Sequence, residues 1–365
     1  MSLFDRRLLA NTDWPTLGLT LLLCGVGVAT IFSATQGTRS EDLYLKQLSF
    51  VGLGLLCLLA ALVPDYRRLV DRSPLLYGVM LLVLVYTLAF APRIAGTNRW
   101  ILLGPLRLQP SEFAKIVVAL LVAKLLADQR KDALALRDLL LPGAAVGLVA
   151  LLVAAAPDLG TAVCLLPALV AVSLLAGLRL KTVVILAFAL VVVGGLGWRY
   201  ALRDYQKTRI YTFLDPSLDP RGAGYQKIQS QIAVGSGGLT GKGYLMGSQN
   251  QLGYLPARQT DFIFSVLAEE LGFVGVALVL ALYLGLLWRA LDTAQQARDR
   301  AGAFLVAGLT ATLVFQVVYN VAMVAGLVPV KGLPLPFMSS GGSSMLSSLL
   351  TIGLILNVRM RRFVN

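Results

Sequence analysis

The sequence predicts an all-α, polytopic membrane protein with ten transmembrane helices, and its composition and hydropathy pattern carry that prediction. Hydrophobic residues make up 57% of the 365 residues and charged residues only 14%, with a mean hydropathy of +0.76. Soluble domains usually contain about 25% charged residues. Ten apolar runs also come near the roughly 20 residues that a helix needs to cross a bilayer. We therefore expect residues 1–365 to form a single transmembrane domain.

The ten runs follow one another with short connections, apart from one long polar segment at residues 199–260. They extend over about Pro15–Ser33, Gln47–Val63, Pro74–Ala91, Ser111–Ala127, Leu139–Ala156, Gly160–Gly177, Thr182–Trp198, Phe262–Trp288, Ala301–Leu327 and Ser340–Val358. Arg and Lys recur in every second loop and near both ends of the chain, which predicts that both termini are cytoplasmic. The long segment between helices 7 and 8 is then extracytoplasmic, and long translocated loops are largely exempt from this charge rule.

The residue types that are missing narrow the chemistry. Histidine is absent, so acid–base catalysis must depend on carboxylates, Lys or Tyr. The three cysteines lie inside apolar runs and are expected to be packing residues. No phosphate-binding loop is visible, so energy must come from the substrate or a gradient. The net charge of +13 suits contact with anionic lipids rather than nucleic acid. No cleavage site follows the first run, so we expect no removable signal peptide.

Asp261 stands where a polar, glycine-rich block, residues 224–272, enters the eighth apolar run. Two interpretations are open. Asp261 could be only a helix cap, or it could be a catalytic carboxylate that Arg258 and the basic block before it keep ionised. Asp158, in the turn between the fifth and sixth runs, is expected at the same depth.

Further ionisable residues lie within the apolar runs. Glu112 and Lys115 are three apart in the fourth run and share a helix face. They could form a structural ion pair, or they could line an outward-facing cavity opposite Asp261, because ionisable groups inside spanning helices are functional candidates. Glu269 and Glu270 lie about two turns into the eighth run and are expected to face the bundle interior.

Small and polar residues in the last two runs allow two interpretations of their own. The glycine- and serine-rich start of the last helix, around Gly341 and Gly342, could bind an anion through free N–H groups. Alternatively, these small residues only let helices pack closely. Asn320, together with Gln316 in the ninth run, is expected to hydrogen-bond between helices.

Several motifs, in order along nearly the whole chain, together resemble the SEDS family of shape, elongation, division and sporulation proteins. They are R-W-I-x-L-G and Q-P-S-E-x-x-K within Arg99–Lys115, P-D-L-G at Pro157–Gly160, G-S-G-G-L-x-G-K-G at Gly235–Gly243, L-P-x-R-x-T-D-F-I-F-x-V-x-A-E-E-L-G-x-x-G at Leu255–Gly275 and L-P-x-x-S-x-G-G-S-S at Leu335–Ser344. The segment Gly224–Gly238 resembles the RodA branch more than the FtsW branch. Gln259 and Ser340 depart from the family pattern, in which His and Tyr are usual, and this weakens any mechanism that depends on that His or Tyr.

The resemblance implies a peptidoglycan glycosyltransferase in the bacterial cytoplasmic membrane. Such an enzyme joins lipid II disaccharide units into glycan strands at the outer face during cell elongation and shape maintenance, and releases undecaprenyl diphosphate. The resemblance also implies a complex with a class B penicillin-binding protein, a transpeptidase. It further implies that Asp261 is the essential carboxylate and that Glu112 and Lys115 form a buried acid–base pair. Asp261 is then expected to be the general base of a single inverting displacement.

The pyrophosphate leaving group of lipid II needs support from cations or amide groups. The candidate substrate-binding residues are Arg99, Trp100, Arg107, Asp158, Lys242, Arg258, Ser339, Gly341, Gly342 and Ser343. No motif demands a cofactor. A divalent cation, Mg²⁺ or Mn²⁺, on Asp261 and the pyrophosphate is a candidate that no ligand spacing requires.

Two other classes of function remain open from the residues. A lipid II flippase would also need many spans with intramembrane charges, but its essential polar groups would follow the whole crossing path, whereas here they cluster toward the outer third. A scaffold that only positions the penicillin-binding protein would tolerate replacement of Asp261.

Overall fold

The computed structural model describes residues 12–38, 40–92, 97–104, 106–129, 133–179, 181–185, 204–220 and 222–363, with single residues at 188, 195 and 199. The described residues form helices and one small antiparallel hairpin. The helices are α1 (Trp14–Thr35), α2 (Leu43–Leu62), α3 (Tyr66–Asp71), α4 (Ser73–Phe90), α5 (Pro110–Ala127), α6 (Leu140–Ala155), α7 (Leu159–Val163), α8 (Leu166–Leu175), α9 (Asp204–Leu214), α10 (Ala223–Ser236), α11 (Ser248–Gln251), α12 (Ile263–Gln295), α13 (Arg300–Val324) and α14 (Gly342–Met360). The hairpin pairs β1 (Ile101–Leu103) with β2 (Leu106–Leu108).

Seven helical segments in the described part of the chain are apolar and long enough to cross a membrane. They are α1, α2, α4, α6 with the 3₁₀ turn before it, α12, α13 and α14. The prediction of a mostly helical, multi-pass chain is therefore confirmed. The fourth predicted run forms α5, which carries the charges of Glu112, Lys115 and Lys124 within 18 residues. The sixth run is divided between α7 and α8. The seventh run, Thr182–Trp198, lies mostly outside the described residues, so the count of ten stays a prediction.

The predicted loop at residues 199–260 contains secondary structure of its own. Helices α9 and α10 follow one another around a 3₁₀ turn at Pro216–Leu218, and α11 comes shortly before α12. Helix α10 packs against α12 and α13. Its residue Ser230 is fully buried and hydrogen-bonds to Ser265 of α12 and to the carbonyl oxygen of Val324 at the end of α13. This segment is therefore a structured cover attached to the bundle.

Helix α14 is the most buried of the seven candidate spans, and its closest partner is α2. Two glycines allow the approach. A Cβ on Gly353 would lie 2.8 Å from the carbonyl oxygen of Leu58, and a Cβ on Gly54 would lie 2.4 Å from Leu349. Small residues permit close helix packing in membranes, where the hydrophobic effect does not drive helices together.

Helix α12 is interrupted at Gly272, where φ is 61° and ψ is −161°. The loop at residues 237–243 docks into the interruption. The N–H groups of Lys242 and Gly243 donate to the carbonyl oxygens of Glu269 and Glu270, both at 3.0 Å. On the other side, the N–H group of Phe273 donates to Gly238 at 2.9 Å. The loop thus satisfies backbone groups that the break in the helix leaves without an intrahelical partner.

The two ends of the described chain lie at the same end of the bundle. Asp13, just before α1, forms an ion pair with Arg289 of α12 at 2.5 Å, and Arg359 of α14 pairs with Asp292 of α12 at 2.8 Å. This end, which also contains Asp299, is called the Asp299 end. The opposite end, with Asp261 and the start of α14, is called the Asp261 end. That the Asp261 end is extracytoplasmic stays a prediction.

Candidate active site

Asp261 lies where the chain turns into α12. The carbonyl oxygen of Ala257 closes this turn by accepting hydrogen bonds from the N–H groups of Thr260 (3.0 Å) and Asp261 (3.1 Å). From α13, the amide of Asn320 donates to the carbonyl oxygens of Asp261 (3.0 Å) and Leu333 (2.8 Å). Asn320 therefore fixes the Asp261 turn to the segment before α14. Its acceptors lie in these connections, and the buried Nε2 of Gln316 has no hydrogen-bond partner among the described residues, so the predicted bonding between helices is not found for this pair.

Asp261 lines a cavity of about 590 Å³. Its other described lining residues are Thr208, Thr212, Asp219, Gly222, Ala223, Gln226, Val330 and Gly332. Small-molecule sites typically measure about 300–1,000 Å³. A Cβ at Gly332 would lie 3.2 Å from Oδ2 of Asp261, so the glycine leaves room beside the carboxylate. Glu112 and Lys115 are not among these residues, so the expected shared cavity is not found in the described chain.

Asp219 is a residue that sequence reasoning missed. Its carboxylate accepts hydrogen bonds from the N–H groups of Gly222 (2.9 Å) and Ala223 (2.8 Å), so it caps the start of α10. An acidic residue a few positions before a helix is a readable sign of such a cap. Its position on the Asp261 cavity follows only from the packing of the cover.

Glu112 and Lys115 form an ion pair of 2.8 Å inside the bundle, with both residues buried. The hydroxyl of Ser347 on α14 donates to the same carboxylate oxygen at 3.2 Å. Lys115 also lines a separate internal cavity of about 10 Å³, which has room for about one water molecule. The structure supports a pair that joins α5 to α14, and its catalytic role stays a prediction.

Asp158 connects two of the predicted motifs. Its carboxylate accepts hydrogen bonds from Gln109 (2.7 Å), Ser111 (3.4 Å) and the N–H group of Thr161 (3.3 Å). Arg99 completes the cluster, with its Nη1 3.7 Å from Oδ1. Asp158 is thus buried at the centre of a polar cluster. The predicted residues Arg99 and Asp158 are brought together.

Trp100 and Arg107 complete the predicted residues of the hairpin region. The Arg99 guanidinium lies 5.7 Å from the centre of the Trp100 ring, within the range of a cation–π contact. Arg107 follows in β2 with an exposed side chain.

The residues around the start of α14 hydrogen-bond mainly to the protein itself. The Ser339 hydroxyl donates to the carbonyl oxygen of Thr260 (2.6 Å), and the Gly341 N–H group donates to Gln47 (3.2 Å). Ser343 accepts from the N–H group of Gln109 (2.8 Å). These contacts support the interpretation in which the small residues of this segment let helices pack closely. Direct substrate binding by Ser339, Gly341 and Ser343 stays a prediction.

Gly342 and Arg258 also lie at the Asp261 end of the bundle. A Cβ at Gly342 would lie 2.7 Å from the ring of Phe50, so the glycine permits close contact with α2. Burial lowers the pKa of the Arg258 guanidinium. Its Nη1 is buried without a hydrogen-bond partner among the described residues, so Arg258 retains a donor for an anion.

Lys242 has a different partner from the one predicted. Its ammonium forms an ion pair with Glu269 at 2.7 Å and hydrogen-bonds to Ser248 at 2.7 Å. The Glu269 carboxylate also accepts from the N–H groups of Gln249 (2.9 Å) and Asn250 (3.3 Å) and is fully buried. Glu269 is buried, and its described side-chain partners all lie in residues 242–250. Lys242 compensates this carboxylate, so the structure gives it a role in holding the docked loop.

The comparison with known proteins identifies a family and close relatives in structure and sequence. Residues 14–363 match the FtsW, RodA and SpoVE family, described as cell cycle proteins. The chain is 37% identical over 354 residues to peptidoglycan glycosyltransferase MrdB of Escherichia coli strain K12, covering 95% of this chain and 94% of that protein. It is 31% identical over 430 residues to peptidoglycan glycosyltransferase RodA of Treponema pallidum, covering 98% and 99%.

Two solved structures share the fold over almost the whole chain. The rod shape determining protein RodA of Thermus thermophilus is 30% identical with a TM-score of 0.73, and the match covers 97% of this chain and 98% of that one. The second structure concerns the structural coordination of polymerization and crosslinking by a peptidoglycan synthase complex. One of its chains is 34% identical to this protein. Its TM-score is 0.85, with 97% of this chain and 99% of that chain covered.

Proposed function

The chain belongs to the FtsW, RodA and SpoVE family, and we propose that it is a peptidoglycan glycosyltransferase that polymerises lipid II during cell elongation and shape maintenance. Relatives at 31–37% identity over nearly their full length are named for this activity. The observation that carries a chemical role for Asp261 is its position on a cavity of about 590 Å³ at one end of the bundle.

In the proposed mechanism Asp261 is the general base. The acceptor sugar hydroxyl must lose a proton as it attacks the anomeric carbon of the donor, and a positioned carboxylate can remove it. A single displacement inverts the anomeric centre, so an α-linked donor gives a β-linked glycan. The Ala257 turn and Asn320 support this role because they hold the backbone of Asp261 from two sides.

Charge that develops on the leaving pyrophosphate needs cationic donors. Arg258 and Arg99 support this part of the proposal, because each has a buried guanidinium nitrogen without a hydrogen-bond partner among the described residues. Arg107 is exposed on the hairpin. Lys242 is a weaker candidate because Glu269 already binds its ammonium.

A divalent cation, Mg²⁺ or Mn²⁺, is part of the proposal. Mg²⁺ often takes only one or two carboxylates and completes its shell with substrate phosphates and water. Asp261 would supply a carboxylate, and no group of three His, Cys, Asp or Glu side chains occurs among the described residues. The remaining ligands would therefore come from the substrate. The cation would neutralise pyrophosphate charge, and no step above depends on it.

The proposed setting is the bacterial cytoplasmic membrane, with a class B penicillin-binding protein as partner. The multi-pass helical fold supports the membrane location. The similarity to a chain of a peptidoglycan synthase complex that coordinates polymerization and crosslinking supports a transpeptidase partner. Lipid II is the proposed substrate, undecaprenyl diphosphate the product, and membrane lipids surround the bundle.

Polymerisation of labelled lipid II by the purified full-length chain tests the function. We expect glycan strands from the wild-type protein with its partner, and a loss of at least about 100-fold for Asp261→Ala, since general base catalysis typically contributes 10²–10⁴-fold. An added chelator tests the cation. Transport of intact lipid II without polymer would instead indicate a flippase. Normal polymerisation by Asp261→Ala would exclude the assigned base.

A further inference from the structure

The chemistry of the Asp261 cavity indicates which part of the substrate enters it. Its described polar lining consists of the Asp261 and Asp219 carboxylates, two threonine hydroxyls and the carboxamide of Gln226. Hydroxyl, amide and carboxylate groups pair well with the hydroxyl and acetamide groups of a sugar.

Two of these side chains have unused hydrogen-bonding capacity. Thr212 is only 2% exposed, and its hydroxyl has no hydrogen-bond partner among the described residues. Gln226 is half-buried, and its side-chain amide makes no hydrogen bond within the part of the chain that the structure describes. Leaving a buried hydroxyl unpaired costs free energy. A ligand hydroxyl or acetamide in the cavity would remove that cost.

The two residues are held by a small framework of helices. Thr208 and Thr212 are four residues apart on α9, so they lie on the same helix face. Gln226 lies in the first turn of α10, directly after the cap that Asp219 forms with the N–H groups of Gly222 and Ala223. Asp219 therefore orients the wall that carries Gln226 toward the cavity.

The direction of the displacement separates the two sugars of the reaction. In an inverting displacement the attacking hydroxyl and the leaving group lie on opposite sides of the anomeric carbon. The base must lie beside the acceptor hydroxyl, so the cavity lined by Asp261 lies on the acceptor side. We propose that Thr212 and Gln226 form the subsite for the acceptor sugar of lipid II. This inference rests on the proposed polymerase activity.

The test separates acceptor binding from donor binding. One arm varies unmodified lipid II against saturating lipid II whose acceptor hydroxyl is capped, so that the capped molecule serves only as donor. The second arm varies the capped donor at a saturating concentration of an acceptor analogue whose lipid diphosphate is replaced by an inert group, so that the analogue cannot serve as donor. For Thr212→Val and for Gln226→Leu we expect the acceptor KM to rise about tenfold, as loss of a hydrogen bond typically produces. The donor KM should stay within about twofold of wild type.

Two further variants control for folding. Thr212→Ser keeps the hydroxyl and should restore the acceptor KM, which a packing defect would not allow. Gln229→Leu makes the same change one turn along α10, outside the described cavity lining, and should leave both KM values unchanged. An unchanged acceptor KM in both test variants, or equal rises in both arms, would overturn the inference while the polymerase assignment stands. A wild-type chain that makes no glycan would overturn the proposed function, and this inference with it.

Discussion

The two ends of the bundle use acidic residues in different ways. At the Asp299 end, each of four carboxylates has an arginine partner. These pairs are Asp13–Arg289 (2.5 Å), Asp299–Arg67 (2.7 Å), Asp292–Arg359 (2.8 Å) and Asp65–Arg361 (3.8 Å). At the Asp261 end, the Asp261 and Asp219 carboxylates instead line a cavity of about 590 Å³.

The difference teaches where to look for chemistry in a membrane bundle. At the Asp299 end, Asp299 accepts hydrogen bonds from Arg67, from the Tyr66 hydroxyl (2.9 Å) and from the N–H group of Gly302 (2.7 Å). A carboxylate with so many internal donors holds helices together. A carboxylate on a cavity can bind a substrate and accept a proton. The Asp299 end is therefore a structural clamp, and the Asp261 end is the proposed reactive region.

The largest expected effect comes from replacing one aspartate at each end, Asp261 or Asp299, with asparagine. Asp261→Asn should lower lipid II polymerisation at least about 100-fold, because the amide cannot act as a base, with little change in thermal unfolding. Asp299→Asn should lower the unfolding temperature and leave the rate per folded molecule near wild type. The polymerisation rate is measured with purified protein, and the unfolding temperature is measured in detergent. If each variant lost both activity and stability, the two ends would not differ in the way described.

The Glu112–Lys115 pair tests whether a buried ion pair can also be part of the reactive end. Removing one partner, as in Lys115→Met, leaves a buried charge and should destabilise the protein by about 3–5 kcal/mol. The double variant Glu112→Gln with Lys115→Met should recover most of that stability. We expect polymerisation to stay low in the double variant if the pair acts in catalysis. Recovery of activity together with stability would show a purely structural pair.

Gly272→Ala should loosen the Asp261 end without affecting the clamp. At φ 61° and ψ −161° the backbone is accessible essentially only to glycine, and a Cβ would lie 2.3 Å from the Gly241 nitrogen. Such strain costs about 1–3 kcal/mol. Hydrogen exchange should increase in the 237–243 loop and stay constant around Asp299. Gly285→Ala, in the regular part of α12, is the control and should be near neutral. Unchanged exchange in the loop would contradict the docking role.

The smallest effect is a pH dependence at the clamp. Burial acts to raise the pKa of Asp299, but hydrogen bonds from Gly302, Arg67 and Tyr66 outweigh it and leave the pKa below its ordinary value. The ionised carboxylate therefore stabilises the fold above the unfolded pKa of about 3.9. That stability is lost as pH falls through the lower folded value. The unfolding temperature of wild type should drop more below about pH 4 than that of Asp299→Asn; parallel curves would contradict the assignment.

Much of the fold could be predicted from the sequence because bilayer thickness sets the length of a spanning helix. The apolar runs that became α1, α2 and α13 needed no tertiary information. The break at Gly272 was not predicted, although its glycine was visible. A glycine inside an apolar run is compatible with a regular helix, and only the docked loop makes the interruption favourable here.

Motif position located Asp261, Asp158 and the Glu112–Lys115 pair, and a spacing of three residues predicted that pair directly. The partner of Lys242 was not predicted, because Glu269 is 27 positions away. The same holds for Asp219, which reaches the Asp261 cavity only because α9 and α10 fold back over the bundle. Sequence spacing cannot show such contacts.

By itself, the sequence determined the membrane class, most of the helices, the family and the position of the candidate carboxylate. The tertiary structure decided which charges are compensated, which residues share a cavity and where α12 breaks. The physical reason is that spanning helices are apolar on all sides, so hydropathy marks no face for a particular neighbour. Glycine contacts such as Gly353 against Leu58, and buried hydrogen bonds such as those of Asn320, select the neighbours instead.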